Sequence, residues 1–119
     1  MNEIQNHKHY DLEDRCLKFT KRVNQYVRKL PRDIPNAENG KQLVRSAGSI
    51  GANYIEANES LSKKDFIMRA KISRKEAKES RFWIELTEPS KEEQKEKEYL
   101  YNEATELMKI LGAIIEKSK

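Results

Sequence analysis

The stretch that decides the fold is Leu43-Val-Arg-Ser-Ala-Gly-Ser-Ile-Gly-Ala-Asn-Tyr-Ile-Glu-Ala57. Its apolar residues recur at the spacing of one helix face, at Leu43, Ala47, Ile50, Tyr54 and Ala57. Two glycines, Gly48 and Gly51, lie between them, although a glycine inside a helix costs about 1 kcal/mol relative to alanine. Close approach of a neighbouring helix would offset that cost. The stretch therefore predicts an inner helix of a bundle.

The composition fits one domain built from long helices. The chain has 119 residues, of which 37% are charged and 36% hydrophobic, with only four glycines and three prolines. The lone Cys16 falls in an apolar helical stripe, which indicates a buried thiol in a reducing compartment. Since the first eleven residues hold no apolar run and no window reaches eighteen apolar residues, we expect no signal peptide, no membrane span and a cytoplasmic location.

The periodicity predicts a disordered N-terminal segment over residues 1–10 and one domain over residues 11–119. Helix one is predicted over residues 11–30, where Pro31 ends it. Pro35 is expected to keep the following connector extended. Helix two is expected to start between residues 36 and 40 and to run to about residue 59.

The second half of the chain predicts two further helices. Ser62 and Asp65 resemble a capping box at the start of helix three, which runs to about residue 87. Helix four follows Ser90 and runs to about residue 117. Because short connectors make neighbouring helices antiparallel, the predicted fold is all-α, an antiparallel up-down-up-down four-helix bundle.

Helix four carries a wide apolar arc. Its inward positions are Leu100, Ala104, Leu107, Leu111 and Ile114. A second stripe lies beside them, at Tyr101, Met108 and Ile115, and Ile110 widens it. Such an arc exceeds the needs of one bundle core, so helix four is either central in the fold or in contact with another subunit.

Positive charge is concentrated in two segments. Residues 15–32 hold seven basic residues and no acidic one, and residues 63–81 hold eight basic against three acidic. The candidate nucleic-acid-binding residues are Arg15, Lys18, Arg22 and Lys29 on helix one and Lys71, Arg74, Lys75, Lys78 and Arg81 on helix three. Rows of this kind bind phosphates of RNA or DNA without reading bases. The alternative is a solvated helix face.

Polar residues near the inner face of helix two predict a structural network. Its members are Arg45, Ser49, Asn53, Glu56 and Glu79. We expect a buried or half-buried Arg45–Glu79 pair that fixes the register of the helices, because a buried charge is costly unless it is paired. The alternative is a polar pocket for a ligand.

The sequence offers no catalytic, cofactor-binding or metal-binding residues. Its two histidines, His7 and His9, lie in the N-terminal segment, so a di-metal centre on the helices cannot be completed. No nucleophile pattern or phosphate-cradling glycine loop is present, and we expect no enzyme.

Phe82 and Trp83 suggest a platform for stacking bases, but helical spacing favours packing in the core or at a subunit interface.

Three blocks in order resemble the small bacterial proteins of the 23S rRNA-intervening-sequence family. They are RSAGSIGANYIE at residues 45–56, KEAKESRFWIEL at residues 75–86 and EATELMKILGAII at residues 103–115, with an Asp-Phe-Ile entry to helix three at residues 65–67. The resemblance covers about residues 10–118 and implies a four-helix bundle without known catalytic activity. Gly51 and Ala57 depart from the pattern, where proline and glycine are common, so a kink and a helix stop are expected to be softer.

The family also resembles the accessory protein of diversity-generating retroelements, a basic bundle. This resemblance implies a homo-oligomer, with a pentamer favoured, and a nucleic-acid partner. The leading hypothesis is thus a homo-oligomeric bundle without enzymatic activity that binds RNA or DNA. The alternative is a scaffold for a protein partner that binds no nucleic acid; neither involves a membrane.

Overall fold

The structure, a computed structural model, describes residues 3–119, with side chains from residue 12 onward. Four helices form it: α1 (Glu3–Arg28), α2 (Ile34–Asn58), α3 (Lys63–Leu86) and α4 (Gln94–Ser118). A single 3-10 turn, Lys91–Glu93, precedes α4, and residues 3–119 contain no strand. The all-α fold predicted from the sequence is confirmed.

Neighbouring helices are antiparallel, because residues late in one helix contact residues early in the next. Between α1 and α2, Asn58 Nδ2 donates to Glu13 Oε2 at 2.7 Å and Thr20 Oγ1 donates to the carbonyl oxygen of Ala47 at 3.1 Å. The same reversed order holds for the other neighbours, in the pairs Ile50–Ser73 and Ser46–Ser80 of α2 and α3, Arg81–Thr105 and Arg74–Gly112 of α3 and α4, and Arg15–Glu103 and Arg22–Glu96 of α1 and α4. The four helices therefore alternate in direction around one core.

α1 begins at Glu3, eight residues before the predicted start of helix one. Residues 3–11 contain neither proline nor glycine, so nothing in them breaks a helix. The helix can extend from its packed part toward the N-terminus because each residue that is fixed adds one backbone hydrogen bond. Residues 1 and 2 and the side chains of residues 3–11 lie outside the described part. Disorder over residues 1–10 and any role of His7 and His9 stay predictions.

The start of α2 differs from the prediction. Asp33 is the N-cap, and its side chain accepts from the backbone N–H of Asn36 at 2.8 Å. Pro35 lies inside the first helical turn, where the missing N–H would have no partner in any case. The expectation that Pro35 extends the connector is therefore wrong. At α3 the predicted cap is confirmed, since Ser62 Oγ accepts from the backbone N–H of Asp65 at 3.1 Å.

The inward positions predicted for α1 and α2 form the core. Leu43, Ala47, Ile50 and Tyr54 are at most 1% exposed, and they pack with the apolar stripe of α1 that includes the buried Cys16. On α4 the buried residue of the last turn is Ile115, whereas Ile114 is only partly buried. The inward face rotates by one residue there because the 3.6-residue turn drifts against a seven-residue spacing.

The wide apolar arc of α4 is used within the chain. Tyr101, Met108, Ile110 and Ile114 are partly buried and pack against the core. α4 lies between α1 and α3, so its two apolar stripes face two neighbours rather than one. The arc therefore fits a helix packed on both sides and leaves no need for another subunit on that face.

Small residues join α2 and α3 closely. Ser73 Oγ donates to the carbonyl oxygen of Ile50 at 2.7 Å, and the buried hydroxyls of Ser46 and Ser80 lie 2.8 Å apart. Each of these buried hydroxyls forms a hydrogen bond within the protein that replaces its hydrogen bonds to water, so none is left unpaired. These contacts set the register of α3 against α2 and fix which of its residues point outward.

Candidate nucleic-acid interface

The basic row predicted on α1 faces α4. Arg15 binds Glu103 with two hydrogen bonds of 2.6 and 2.8 Å, and Arg22 binds Glu96 in the same way at 2.9 and 2.7 Å. Lys29 Nζ lies 3.9 Å from a carboxylate oxygen of Glu93. Paired guanidinium–carboxylate contacts of this kind are among the strongest charge-assisted hydrogen bonds. The row thus joins two helices.

Hydrogen bonding to Glu103 raises the pKa of Arg15, and hydrogen bonding to Glu96 raises the pKa of Arg22. Arg22 also lies over the ring of Tyr99, 3.6 Å from its centre. A cavity of about 260 Å³ opens beside these groups, and it includes Lys18, which pairs with Asp14 at 3.0 Å. Because carboxylates already engage these cations, a phosphate would have to displace them.

The basic residues predicted on α3 divide into two sets. Lys71, Lys75 and Lys78 are exposed, and none forms an ion pair with a residue in the described part of the chain. Their spacing of four and three residues places them on one face. Three free ammonium groups therefore point in one direction.

Arg74 and Arg81 lie toward α4 instead. Arg81 Nη1 donates to Thr105 Oγ1 at 3.2 Å, and its guanidinium lies 5.0 Å from the centre of the Tyr101 ring. The Arg81 Nε is buried and has no hydrogen-bond partner among the described residues. Arg74 crosses α4 beside Gly112, where a Cβ would come within 4.0 Å of its side chain. These two arginines belong to the α3–α4 contact.

The predicted polar network separates into two clusters. In the first, Arg45 Nη2 lies 3.4 Å from Glu76 and 3.8 Å from Glu79. Glu76 is 8% exposed, and burial, followed by a hydrogen bond with Glu79, raises its pKa. Arg45 and Glu79 keep about half of their side-chain surface in solvent, so the carboxylate that the cluster buries is Glu76.

In the second cluster Asn53 Nδ2 donates to the carbonyl oxygen of Ser49 at 2.9 Å, and Arg69 Nη1 donates to Asn53 Oδ1 at 3.4 Å. Glu56 is exposed on the outer side of α2. Glu76 and Arg69 are the members that sequence reasoning missed. Their helical positions, three and ten residues before Glu79, were the available signal.

A further polar contact, also missed, ties one end of the bundle. Asn36 Oδ1 accepts from the backbone N–H of Glu88 at 2.8 Å, and Asn36 Nδ2 donates to the carbonyl oxygen of Glu88 at 3.0 Å. Nearby, the hydroxyls of Tyr26 and Thr87 lie 2.8 Å apart. These bonds hold the residues that follow α3 against the first turn of α2 and the last turns of α1.

The described residues contain no group of three or more His, Cys, Asp or Glu side chains that could hold a metal ion. Burial raises the pKa of the Cys16 thiol from its ordinary 9.0 to about 12, so the thiolate form is strongly disfavoured. Within the described part of the chain, no helix is long and apolar enough to cross a membrane.

Comparison with known proteins finds a matching family and a similar crystal structure. The model of a family described as 23S rRNA-intervening sequence protein matches residues 8–113. A crystal structure from Bacteroides thetaiotaomicron, of a protein of unknown function from the S23 ribosomal protein family, is 31% identical, covers 87% of this chain and 97% of its own, and superposes with a TM-score of 0.73. Among curated proteins, none matches.

Proposed function

The chain belongs to the 23S rRNA-intervening sequence protein family, and on that premise we propose that it is a homo-oligomeric bundle without enzymatic activity that binds the phosphate backbone of RNA or DNA. The surface that we assign to this binding is the outer face of α3, defined by Lys71, Lys75 and Lys78 and called here the α3 lysine face. Its three unpaired cations carry the proposal.

The α3 lysine face is suited to phosphates for a simple electrostatic reason. Each lysine is exposed and has no carboxylate partner in the described part of the chain, so it can neutralise a phosphate without breaking an existing ion pair. Neutralised phosphates release counterions, which favours binding whatever the base sequence. The row on α1 contributes less, because Arg15 and Arg22 would first have to leave Glu103 and Glu96.

The experiment is a fluorescence-anisotropy titration of an RNA hairpin, a duplex DNA and a single strand over a series of salt concentrations. We expect binding that weakens steeply with salt. The triple variant Lys71→Gln, Lys75→Gln and Lys78→Gln should reduce the logarithmic salt slope for duplex by about 3, since each phosphate contributes about 0.9.

A matched control changes three exposed lysines elsewhere, by Lys91→Gln, Lys95→Gln and Lys117→Gln. It alters the net charge by the same amount and should leave most of the binding and its salt slope in place. Absence of binding by the unmodified protein at low salt would refute the proposal. Equal losses in the two triple variants would refute the assignment to the α3 lysine face.

Self-association is part of the proposal, and the outer face of α2 supports it. Ile34, Val44 and Ile55 are exposed there by 79%, 37% and 48%. Gly48 lies on the same face, and a Cβ at this position would meet no described atom within 4 Å, so no contact with the described part of the chain explains a glycine there. A helix from another copy would cover this apolar face, and the family resemblance favours five copies.

The same face of α2 favours a second candidate, a scaffold that binds another protein and no nucleic acid. Exposed aliphatic side chains on one helix face are typical of protein interfaces. The observation that separates the two candidates is the material that copurifies. A defined protein without nucleic-acid absorbance would favour the scaffold.

A further inference from the structure

Phe82 and Trp83 are neighbours in sequence but have different environments. Trp83 is partly buried and packs against the core, whereas Phe82 is 58% exposed. Their ring centres lie 5.0 Å apart, and the ring planes meet at 74°, an edge-to-face contact that restrains the exposed ring. Packing in the core therefore accounts for Trp83 and leaves Phe82 unexplained.

Phe82 continues the α3 lysine face. Residues 71, 75, 78 and 82 are separated by four, three and four positions, which keeps them on one side of the helix. At 1.5 Å per residue, Phe82 lies about 6 Å along the helix from Lys78 and about 17 Å from Lys71. The acidic residues beside this path are Glu76 and Glu79, which pair with Arg45, Glu116 of α4, which pairs with Lys119, and Glu85, which is exposed.

An exposed aromatic ring at the end of a row of free cations can bind both parts of single-stranded nucleic acid, the phosphate backbone and an unpaired base. Proteins hold single-stranded nucleic acid by cations that follow the backbone and by aromatic rings on which unpaired bases stack. A duplex can use only the cations, because its bases are stacked inside the helix and cannot reach an aromatic ring. The base of an RNA loop or a single strand can turn outward and reach a ring.

We propose that the preferred ligand of the α3 lysine face is single-stranded nucleic acid, with one unpaired base stacked on Phe82 and the adjoining phosphates on Lys78, Lys75 and Lys71. This inference rests on the proposed function and narrows its ligand class. It also assigns a role to Trp83, whose edge holds the Phe82 ring in place.

The test compares a labelled twelve-nucleotide oligo(U) with a labelled blunt duplex, each bound to the unmodified protein and to Phe82→Ala. Loss of a stacked base is worth 1–3 kcal/mol, so we expect oligo(U) binding to weaken roughly 5- to 150-fold. Duplex binding should change less than about twofold and the salt slope should stay the same, because no charge is removed. Phe82→Tyr should retain binding of oligo(U).

The matched control is Leu61→Ala, which removes a fully exposed apolar side chain from the α2–α3 connector and should leave both affinities unchanged. Circular dichroism and urea unfolding establish that each variant is folded. Trp83 is the only tryptophan, so its fluorescence reports on this site. We expect oligo(U) to quench it more strongly than the duplex does.

The outcomes separate the inference from the proposed function. Binding of both ligands with equal affinities for Phe82→Ala and the unmodified protein would overturn the inference and leave the proposed function standing. An equal loss for oligo(U) and duplex would also overturn it, as would a change in the oligomeric mass of Phe82→Ala, which would make Phe82 a contact between copies. Binding of neither ligand would overturn both.

Discussion

Cys16 illustrates how burial determines the chemistry of a single residue. The thiol is 1% exposed, and burial raises its pKa to about 12. The thiolate is the reactive form, so at pH 8 a far smaller fraction of Cys16 is ionised than of a free thiol. The position of Cys16 in an apolar stripe predicted the burial, and the burial removes the nucleophile.

We therefore expect iodoacetamide at pH 8 to leave Cys16 of the folded protein unmodified and to alkylate it in urea. The variant Leu61→Cys supplies the control within one molecule, since residue 61 is fully exposed. Mass spectrometry of that variant should find one added group per folded chain, at residue 61. Rapid modification of both thiols in the folded state would contradict the burial of Cys16.

At the scale of the element, α1 shows why the ion-pair partners of its basic row could not be predicted from the sequence. The sequence places Arg15 and Arg22 seven residues apart on one flank, a pattern that a phosphate site and an interhelical contact share. The partners, Glu96 and Glu103, are also seven residues apart but lie more than seventy residues further along the chain. Matching the two rows requires the register of α4 against α1, which no local pattern specifies.

The Arg15–Glu103 pair should measurably stabilise the fold. Its carboxylate is 12% exposed and is held by two hydrogen bonds, so we expect a coupling energy of about 1 kcal/mol, at the upper end for pairs near the surface. The measurement is a double-mutant cycle in urea with alanine at each position. The exposed Lys18–Asp14 pair is the control and should give a smaller coupling of about 0.3–0.5 kcal/mol, as is usual for exposed helix pairs four residues apart.

Equal coupling energies for the two pairs would show that the contact between α1 and α4 does not depend on its ion pairs.

The ion pairs of α1 with α4 also affect the design of binding assays. Reversing the charges of Arg15 and Arg22 would place like charges opposite Glu103 and Glu96, and the fold would weaken together with any affinity. Variants of the α3 lysine face avoid this problem.

At the scale of the whole molecule, the pattern of apolar residues carried most of the prediction. The inward faces of α1 and α2 and the cap at Ser62 follow from spacing alone, because helix geometry converts spacing into one face. The features that could not be predicted are hydrogen bonds and ion pairs between residues far apart in the sequence. Asn36 with Glu88 is an example in which neither partner has a local signature.

The proposed assembly predicts the mass in solution. Each chain weighs 14.0 kDa, and light scattering behind size exclusion should give a multiple of that mass, with five chains favoured. Val44→Glu, on the outer face of α2, should shift the mass toward one chain, because it places a charge among the exposed aliphatic residues. Lys95→Glu, at an exposed position of α4, is the control for added negative charge.

A mass of one chain for the unmodified protein at micromolar concentrations would contradict self-association. An unchanged oligomer for Val44→Glu would keep self-association and remove the outer face of α2 from the interface. Neither result bears on the α3 lysine face, whose test uses different residues.

The closing contact of the bundle joins α1 to α4, the helices furthest apart in sequence, and it is looser than the small-residue contact of α2 with α3. A contact between residues distant in sequence requires closure of a long loop, so we expect the contact of α1 with α4 to form after the contacts between helices adjacent in the chain. Interactions made after the transition state affect the rate of unfolding and leave the rate of folding nearly unchanged. Since salt screens ion pairs, added salt should shorten the lifetime of the folded bundle and barely alter how fast it forms.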